Sequence, residues 1–231
     1  MTGSLDKRLL SCAGYVRAGA VFADIGTDHG YLPIFLLHSG IATRAVLSDI
    51  NRGPLSSAER NVSAAGLSDR CEFVLTDGAS ALSGKGITDY AICGMGGELI
   101  ARIIEDAPHL KEDGVRLILQ PMTKQEHLRE YLAESGFSVL DECFSFDSGK
   151  YYLTLAAEYT GTVRTLSFGE SELGPDLPHD GDRVEYLGFL EGKRRAVLKA
   201  LLGKEAGGYD SSEEKERLSI IDQRIAKLTG V

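Results

Sequence analysis

The residues of this chain that could do chemistry gather at the ends of short apolar runs. Residues 21–32 begin apolar and pass at once into Asp24-Ile25-Gly26-Thr27-Asp28-His29-Gly30-Tyr31, the pattern of a buried strand, a turn and the opening of a helix. Such a junction sets backbone amides, a helix N-terminus and polar side chains at the carboxyl end of a strand, where ligands bind in open α/β sheets. Residues 45–50 make a second run that closes on an acid, Asp49, and residues 72–75 a third, followed by Thr76-Asp77-Gly78. An ionised carboxylate such as Asp49 can accept hydrogen bonds from both hydroxyls of a ribose, and Asp77 is placed to accept from an adenine amino group. Taken singly, each acid is equally a solvated strand end or a helix cap. The ordered series Asp24, Asp49, Asp77 is the more specific signal.

A fourth run, residues 90–93, ends in Gly94-Met95-Gly96-Gly97. These glycines leave a pocket unfilled by side chains, permit close backbone approach and offer amides as donors. After the first strand a dinucleotide site would carry G-x-G-x-x-G, but Gly26 is followed by Thr27-Asp28-His29-Gly30 and the second and third glycines are missing, which argues against NAD. The pattern resembles instead the acid-x-G-x-G-x-G motif of class I S-adenosylmethionine-dependent methyltransferases, with Asp28 in place of the middle glycine. Methylation of exocyclic amino groups is disfavoured, because the Asn or Asp, paired prolines and aromatic usual for it are absent from residues 94–97.

The elements that must position these residues follow a regular cadence. A leading helix is expected over residues 5–17, and further helices over 31–39, 54–65, 98–106 and 124–135, alternating with strands at 21–25, 45–50, 72–75, 90–93 and 115–119. Alternation of this kind implies a largely parallel sheet covered on both faces. The last two strands, 137–144 and 151–158, are joined by residues 145–150, too few for a helical crossover, and should form an antiparallel hairpin. Beyond them Gly161, Gly169, Gly174, Pro175, Pro178 and Gly181 mark a connector. Two apolar stripes follow, Val184, Leu187, Leu190, Val197 and Leu201, then Leu218, Ile221, Ile225 and Leu228. Ser211 with Glu214 resembles a capping box between them, and the pair should fold back as an antiparallel helical hairpin. The divisions expected are thus residues 1–160, a connector at 161–182 and a hairpin at 183–231.

The chain has 231 residues, 43% of them hydrophobic, and a formal net charge of −9. That charge opposes non-specific attraction to a phosphate backbone, so a nucleic-acid partner must meet a local basic patch. Cys12, Cys71, Cys93 and Cys143 form no CxxC pair and no cluster with histidine, so no metal is expected, and they read as reduced, mostly buried thiols. No apolar run approaches the ~20 residues that span a bilayer, and a cytoplasmic protein without membrane contact is expected.

The series Asp24–Pro33, Asp49-Ile50-Asn51-Arg52-Gly53-Pro54, Gly94-Met95-Gly96-Gly97-Glu98-Leu99-Ile100, Leu119-Gln120-Pro121 and Ser148-Gly149-Lys150-Tyr151-Tyr152 closely resembles the bacterial tRNA adenine-22 N1-methyltransferase family, TrmK. The resemblance covers residues 5 to about 161 and implies an α/β class I methyltransferase fold, a Rossmann-like, mostly parallel sheet with an antiparallel last strand, carrying a C-terminal coiled-coil hairpin. It implies S-adenosylmethionine as cofactor and tRNA as partner. Cofactor contacts are expected from Asp24, Gly26, Thr27, Gly30, Asp49, Ile50, Asn51, Asp77, Gly78, Gly94, Met95 and Gly96. Gly97, Gln120, Pro121 and Tyr31 are expected on the acceptor side, Tyr31 stacking on a base or packing in the core. Phosphate contacts are expected above all from Lys7, Arg8 and the run Lys193, Arg194, Arg195, with Arg102, Lys124, Arg129 and Lys150 as further candidates. Asp28 is the candidate catalytic carboxylate, stabilising the positive charge that develops on adenine, and His29 either contacts the base or caps the helix. Other acceptors, a small molecule or a protein, or a cofactor-binding module without catalysis, are the alternatives. A monomer or weak dimer is expected.

Overall fold

The computed structural model describes residues 5–174 and 182–230. Pro175, Pro178 and Gly181, expected in the connector, lie outside the described residues. The chain runs α1 (Lys7–Tyr15), β1 (Ala20–Ile25), α2 (Tyr31–His38), β2 (Ala42–Asp49), α3 (Arg52–Ala64), β3 (Cys71–Leu75), β4 (Asp89–Gly96), α4 (Gly97–Glu105), β5 (Arg116–Thr123), α5 (Gln125–Glu134), β6 (Phe137–Asp147), β7 (Lys150–Tyr159), α6 (Phe168–Leu173), α7 (Arg183–Ala206) and α8 (Ser212–Thr229). The strands form one seven-stranded sheet in the order β3-β2-β1-β4-β5-β7-β6. The first five are parallel, while β7 is antiparallel to both β5 and β6.

Every parallel strand in the centre is apolar on both sides because helices cover both faces. One cluster holds Phe22, Leu32, Leu36, Leu47 and Ile118 under α1, α2 and α3. The other holds Ile25, Ile92, Ile100, Ile104 and Leu128 under α4 and α5, and runs on without a break through Tyr186, Leu190, Ile221 and Leu228 of the C-terminal helices. The hairpin is therefore packed onto the sheet.

Several boundaries differ from the sequence expectation, and each difference has a cause. The turn expected at residues 94–97 does not form: β4 continues to Gly96, α4 begins at Gly97, and β5 continues to Thr123, with Met95 paired to Pro121 and Gly96 to Thr123 through irregular register. Proline in a central strand is tolerated at such an irregularity because no ladder hydrogen bond is required of it there. The link between β6 and β7 shrinks from six residues to Ser148 and Gly149, since Asp147 pairs with Lys150. Both turn residues have positive φ, 48° and 81°, as a two-residue hairpin of matching twist demands. The connector contains α6, started by a capping box in which Ser167 Oγ accepts from Glu170 N and the Glu170 carboxylate accepts from Ser167 N. The box expected at Ser211 and Glu214 does not form: Glu214 is drawn to Lys204 at 2.7 Å, and Asp210 Oδ1 accepts from Ser212 N instead. Along α7 the buried stripe is Tyr186, Phe189, Leu190 and Leu201, whereas Val184 is exposed. Aromatic packing of Tyr186 and Phe189 on Phe144 of β6 sets that rotation. Of the cysteines only Cys12 is fully buried; Cys71, Cys93 and Cys143 are partly accessible, and all four are free.

Candidate cofactor and acceptor site

The carboxyl ends of β1, β2, β3 and β4 surround a cleft of about 250 Å³. Its walls hold Gly26 from the first turn, Asp49, Ile50 and Asn51 from the second, Asp77 and Gly78 from the third, and Gly94 and Met95 from the last residues of β4, closed by Leu99 and Ile103 of α4. The sheet order makes this convergence: β1 lies between β2 and β4, so four separated segments of sequence meet at one edge. Gly26 has φ 75°, and a Cβ there would collide with the Met95 side chain, so glycine lets the first turn touch the end of β4. Asp49 Oδ1 accepts from Asn51 N at 2.7 Å, which fixes the carboxylate at the head of α3.

The amides expected as ligand donors are partly committed elsewhere. Gly26 N and Thr27 N both donate to Ser48 O, at 2.8 and 2.9 Å, and Gly94 N donates to Gln120 Oε1 at 3.0 Å. These bonds shape the strand ends and leave those three amides engaged within the protein. The donor set fits an adenosine-containing ligand. Ile50, Leu99 and Ile103 offer an apolar slot, Asp49 and Asp77 two acceptors beside it, and Ser48 Oγ is buried in the wall with no partner among the described residues. A buried hydroxyl left unpaired is costly.

Asp24 lies behind the first turn, 9% exposed. Burial lifts its carboxyl from the ordinary 3.8 to about 6, with the positive charge of Arg8 pulling the other way. Arg8 reaches the site from α1: its Nη1 donates to Gln120 Oε1 at 3.1 Å, the same oxygen that receives Gly94 N, and Gln120 is wholly buried. Nothing in the sequence placed Arg8 and Gln120 together, because they are separated by 112 residues. Cys93, on the cleft wall, donates to Cys12 Sγ at 3.5 Å; that hydrogen bond and burial hold its thiol well above the usual range, so it is no ready nucleophile.

Other expected site residues fall elsewhere. Asp28 is 74% exposed in its side chain and pairs with His29 at 3.3 Å, both at the rim and outside the residues lining the cleft. His29 stacks on Tyr31 with ring centres 5.2 Å apart, and Tyr31 is exposed, so core packing is excluded for it. His29 makes no helix cap by its side chain; Gly30, with φ 69°, occupies that position. Gly97 is buried against the Lys124 carbonyl and serves the close approach of α4 to β5. Arg129 is not a phosphate contact: it is buried on Glu142, with Nη2 2.7 Å from Oε2. Lys193 is turned inward between Glu172 and Glu126, at 3.1 and 3.9 Å, and Arg194 meets Asp222 at 2.6 Å. Only Arg195 of that run is largely exposed, 70% in its side chain. Lys7, Arg102, Lys124 and Lys150 are exposed.

A sheet of this order with an antiparallel edge pair, and an acid at or near the carboxyl end of each of its first three strands, defines a class I methyltransferase, and the family model for a methyltransferase domain matches residues 5–155. Along its whole length the chain is 40% identical to the tRNA (adenine(22)-N(1))-methyltransferase of Bacillus subtilis, over 98% of this chain and 96% of that one. It belongs to that family, the bacterial tRNA adenine-22 N1-methyltransferases. Streptococcus pneumoniae Sp1610, solved in complex with S-adenosyl-L-methionine, superposes with a TM-score of 0.83 at 31% identity, covering 96% of this chain and 100% of that one. TrmK of M. capricolum, solved with S-adenosyl-homocysteine, superposes with a TM-score of 0.81 at 26% identity, covering 96% and 98%.

Proposed function

We propose that the chain binds S-adenosylmethionine in the cleft at the strand ends and methylates N1 of adenine 22 in tRNA. The observation that carries this reading is the full-length likeness to the B. subtilis enzyme, which takes in the helical hairpin as well as the cleft. Asp49 would hold the ribose hydroxyls, Asp77 the adenine amino group and Ile50, Leu99 and Ile103 the faces of the base, with Asp24 toward the amino group of the methionine moiety. When bound, the cofactor supplies an electrophilic methyl, for which the free lone pair of adenine N1 needs no prior deprotonation. The protein is left with positioning and exclusion of water, and no catalytic base is demanded of it.

Asp28 is proposed to stabilise the positive charge that the adenine acquires. Its exposure at the rim limits that effect unless the bound RNA covers it, because a carboxylate in contact with water is strongly screened. Lys7, Lys124, Lys150 and Arg195 are the proposed phosphate contacts. The proposed setting is the cytoplasm and the proposed state a monomer or weak dimer; no described helix is long and apolar enough to cross a membrane.

Incubation with labelled S-adenosylmethionine and unmodified tRNA, followed by nucleoside mass analysis and mapping, tests the proposal. Label in 1-methyladenosine at position 22 supports it. Label in another nucleoside, or none in RNA, refutes it.

A further inference from the structure

The Ser148-Gly149-Lys150-Tyr151-Tyr152 segment has no part in the cofactor cleft, yet the sheet brings it to the acceptor side. Strand β7 runs antiparallel to β5 with Leu155 opposite Leu119, so Tyr152 lies beyond that pair, toward the carboxyl end of β5. Alternation along a strand sends neighbouring side chains to opposite faces. Tyr151 packs on Gly188 of α7, where a Cβ would collide with its ring. Tyr152 and Thr154 face the other way, toward α1: Thr154 Oγ1 lies 2.9 Å from Ser11 Oγ, and the Arg8 guanidinium stands 6.0 Å from the Tyr152 ring centre.

Arg8 then ties this ring to the cleft. Its Nη1 shares Gln120 Oε1 with Gly94 N, at 3.1 and 3.0 Å, and a Cβ on Gly94 would come within 3.8 Å of the same Nη1. A half-buried aromatic ring thus stands near the guanidinium that reaches the Gly94 segment of β4 on the cleft wall. Lys7 at the start of α1, Lys124 just after β5 and Lys150 at the start of β7 are exposed and make no ion pair among the described residues.

We propose that Tyr152 is the stacking platform for the target adenine, and that Arg8 is a positioning residue which sets that platform against Gly94 near the end of β4. The inference rests on the function proposed above and adds the group that holds the acceptor base. A tyrosine suits the task because every base offers a π-face, and stacking orients N1 without engaging its lone pair. Arg8 belongs to the frame through Gln120, so its use differs from that of a surface lysine attracting phosphate.

The test compares wild type with Tyr152→Ala, Tyr152→Leu, Tyr152→Phe and Arg8→Lys. S-adenosylmethionine affinity is measured by calorimetry, kcat and KM on unmodified tRNA, and binding on tRNA that is abasic at position 22. Tyr152→Ala and Tyr152→Leu are expected to bind cofactor as wild type does and to lose about tenfold or more in kcat/KM, with Tyr152→Phe recovering most of it. The binding deficit of Tyr152→Ala should vanish on abasic tRNA. Arg8→Lys, which keeps the charge but not the Gln120 contact, should lower kcat more than it raises KM. Undiminished kcat/KM in folded, cofactor-binding Tyr152→Leu overturns the platform, as does a deficit that persists on abasic tRNA; wild-type kcat in Arg8→Lys overturns the positioning role. Failure of the wild-type protein to methylate tRNA at all would instead remove the function on which the inference rests.

Discussion

The most exacting stability prediction concerns the buried pair Arg129–Glu142. Arg129 Nε and Nη2 meet the two Glu142 oxygens at 2.8 and 2.7 Å, Nη1 donates to Ser171 O at 2.9 Å, and the side chains are 3% and 5% exposed. Arg129→Met removes the cation and leaves a buried carboxylate without its bidentate partner, together with an unpaired Ser171 carbonyl. Breaking such a pair costs about 3–5 kcal/mol, against a total stability of roughly 5–15 kcal/mol for a domain. The loss should be read from urea unfolding followed by far-UV circular dichroism, since the chain has no tryptophan. Adding Glu142→Leu to Arg129→Met should recover most of it, because a well-packed apolar pair avoids both desolvation terms. Cofactor affinity should stay unchanged, as the pair lies among α5, β6 and α6, away from the cleft. A loss below about 1 kcal/mol, the ordinary worth of an exposed pair, would refute the argument, and so would a double variant no more stable than the single one.

Three further predictions bear on the site and the hairpin. Asp24, with its carboxyl raised to about 6 in the folded chain, keeps its proton where the unfolded chain has lost it, so its contribution to stability is present at low pH and declines as pH rises from about 4 through 6. Asp24→Asn should remove that slope in melting temperature, and if the ionised form binds the cofactor's amino group, wild-type affinity should rise through pH 6 while the variant's stays flat; equal pH profiles would sink the assignment. Asp28→Asn should lower kcat on tRNA with unchanged cofactor affinity, and full turnover would remove Asp28 from catalysis. In the basic run, Lys193→Glu places a third carboxylate against Glu126 and Glu172 and should lower the melting temperature, whereas Arg195→Glu, which disturbs only the exposed pair with Glu191 at 3.8 Å, should lower it far less and weaken tRNA binding at fixed salt. Unchanged tRNA affinity in Arg195→Glu would take this face of the hairpin out of the RNA site.

What the sequence disclosed was the part of the site whose logic is local. Asp49 closes a strand, Asp77 follows one by two residues, Gly26 opens a turn, and a parallel sheet brings such ends together whatever the details of packing. The boundaries of β4 and β5 were less legible because glycine and proline normally end strands, and only the mutual pairing of Met95 with Pro121 and Gly96 with Thr123 prolongs them. Charged side chains were the least legible of all. Arg129 and Lys193 read as surface cations from their positions, but Glu142, Glu172 and Glu126, which pull them inward, come from other elements, and no local pattern announces an ion pair across α5, β6, α6 and α7. The same blindness conceals Arg8, whose neighbours Gln120, Gly94 and Tyr152 lie on three strands. The proposed cofactor half of the site is thus built from strand ends, each complete in a few residues, while the proposed acceptor half exists only when α1 lies across β5 and β7. Changes in how α1 seats on those strands should therefore alter acceptor handling before they alter cofactor binding.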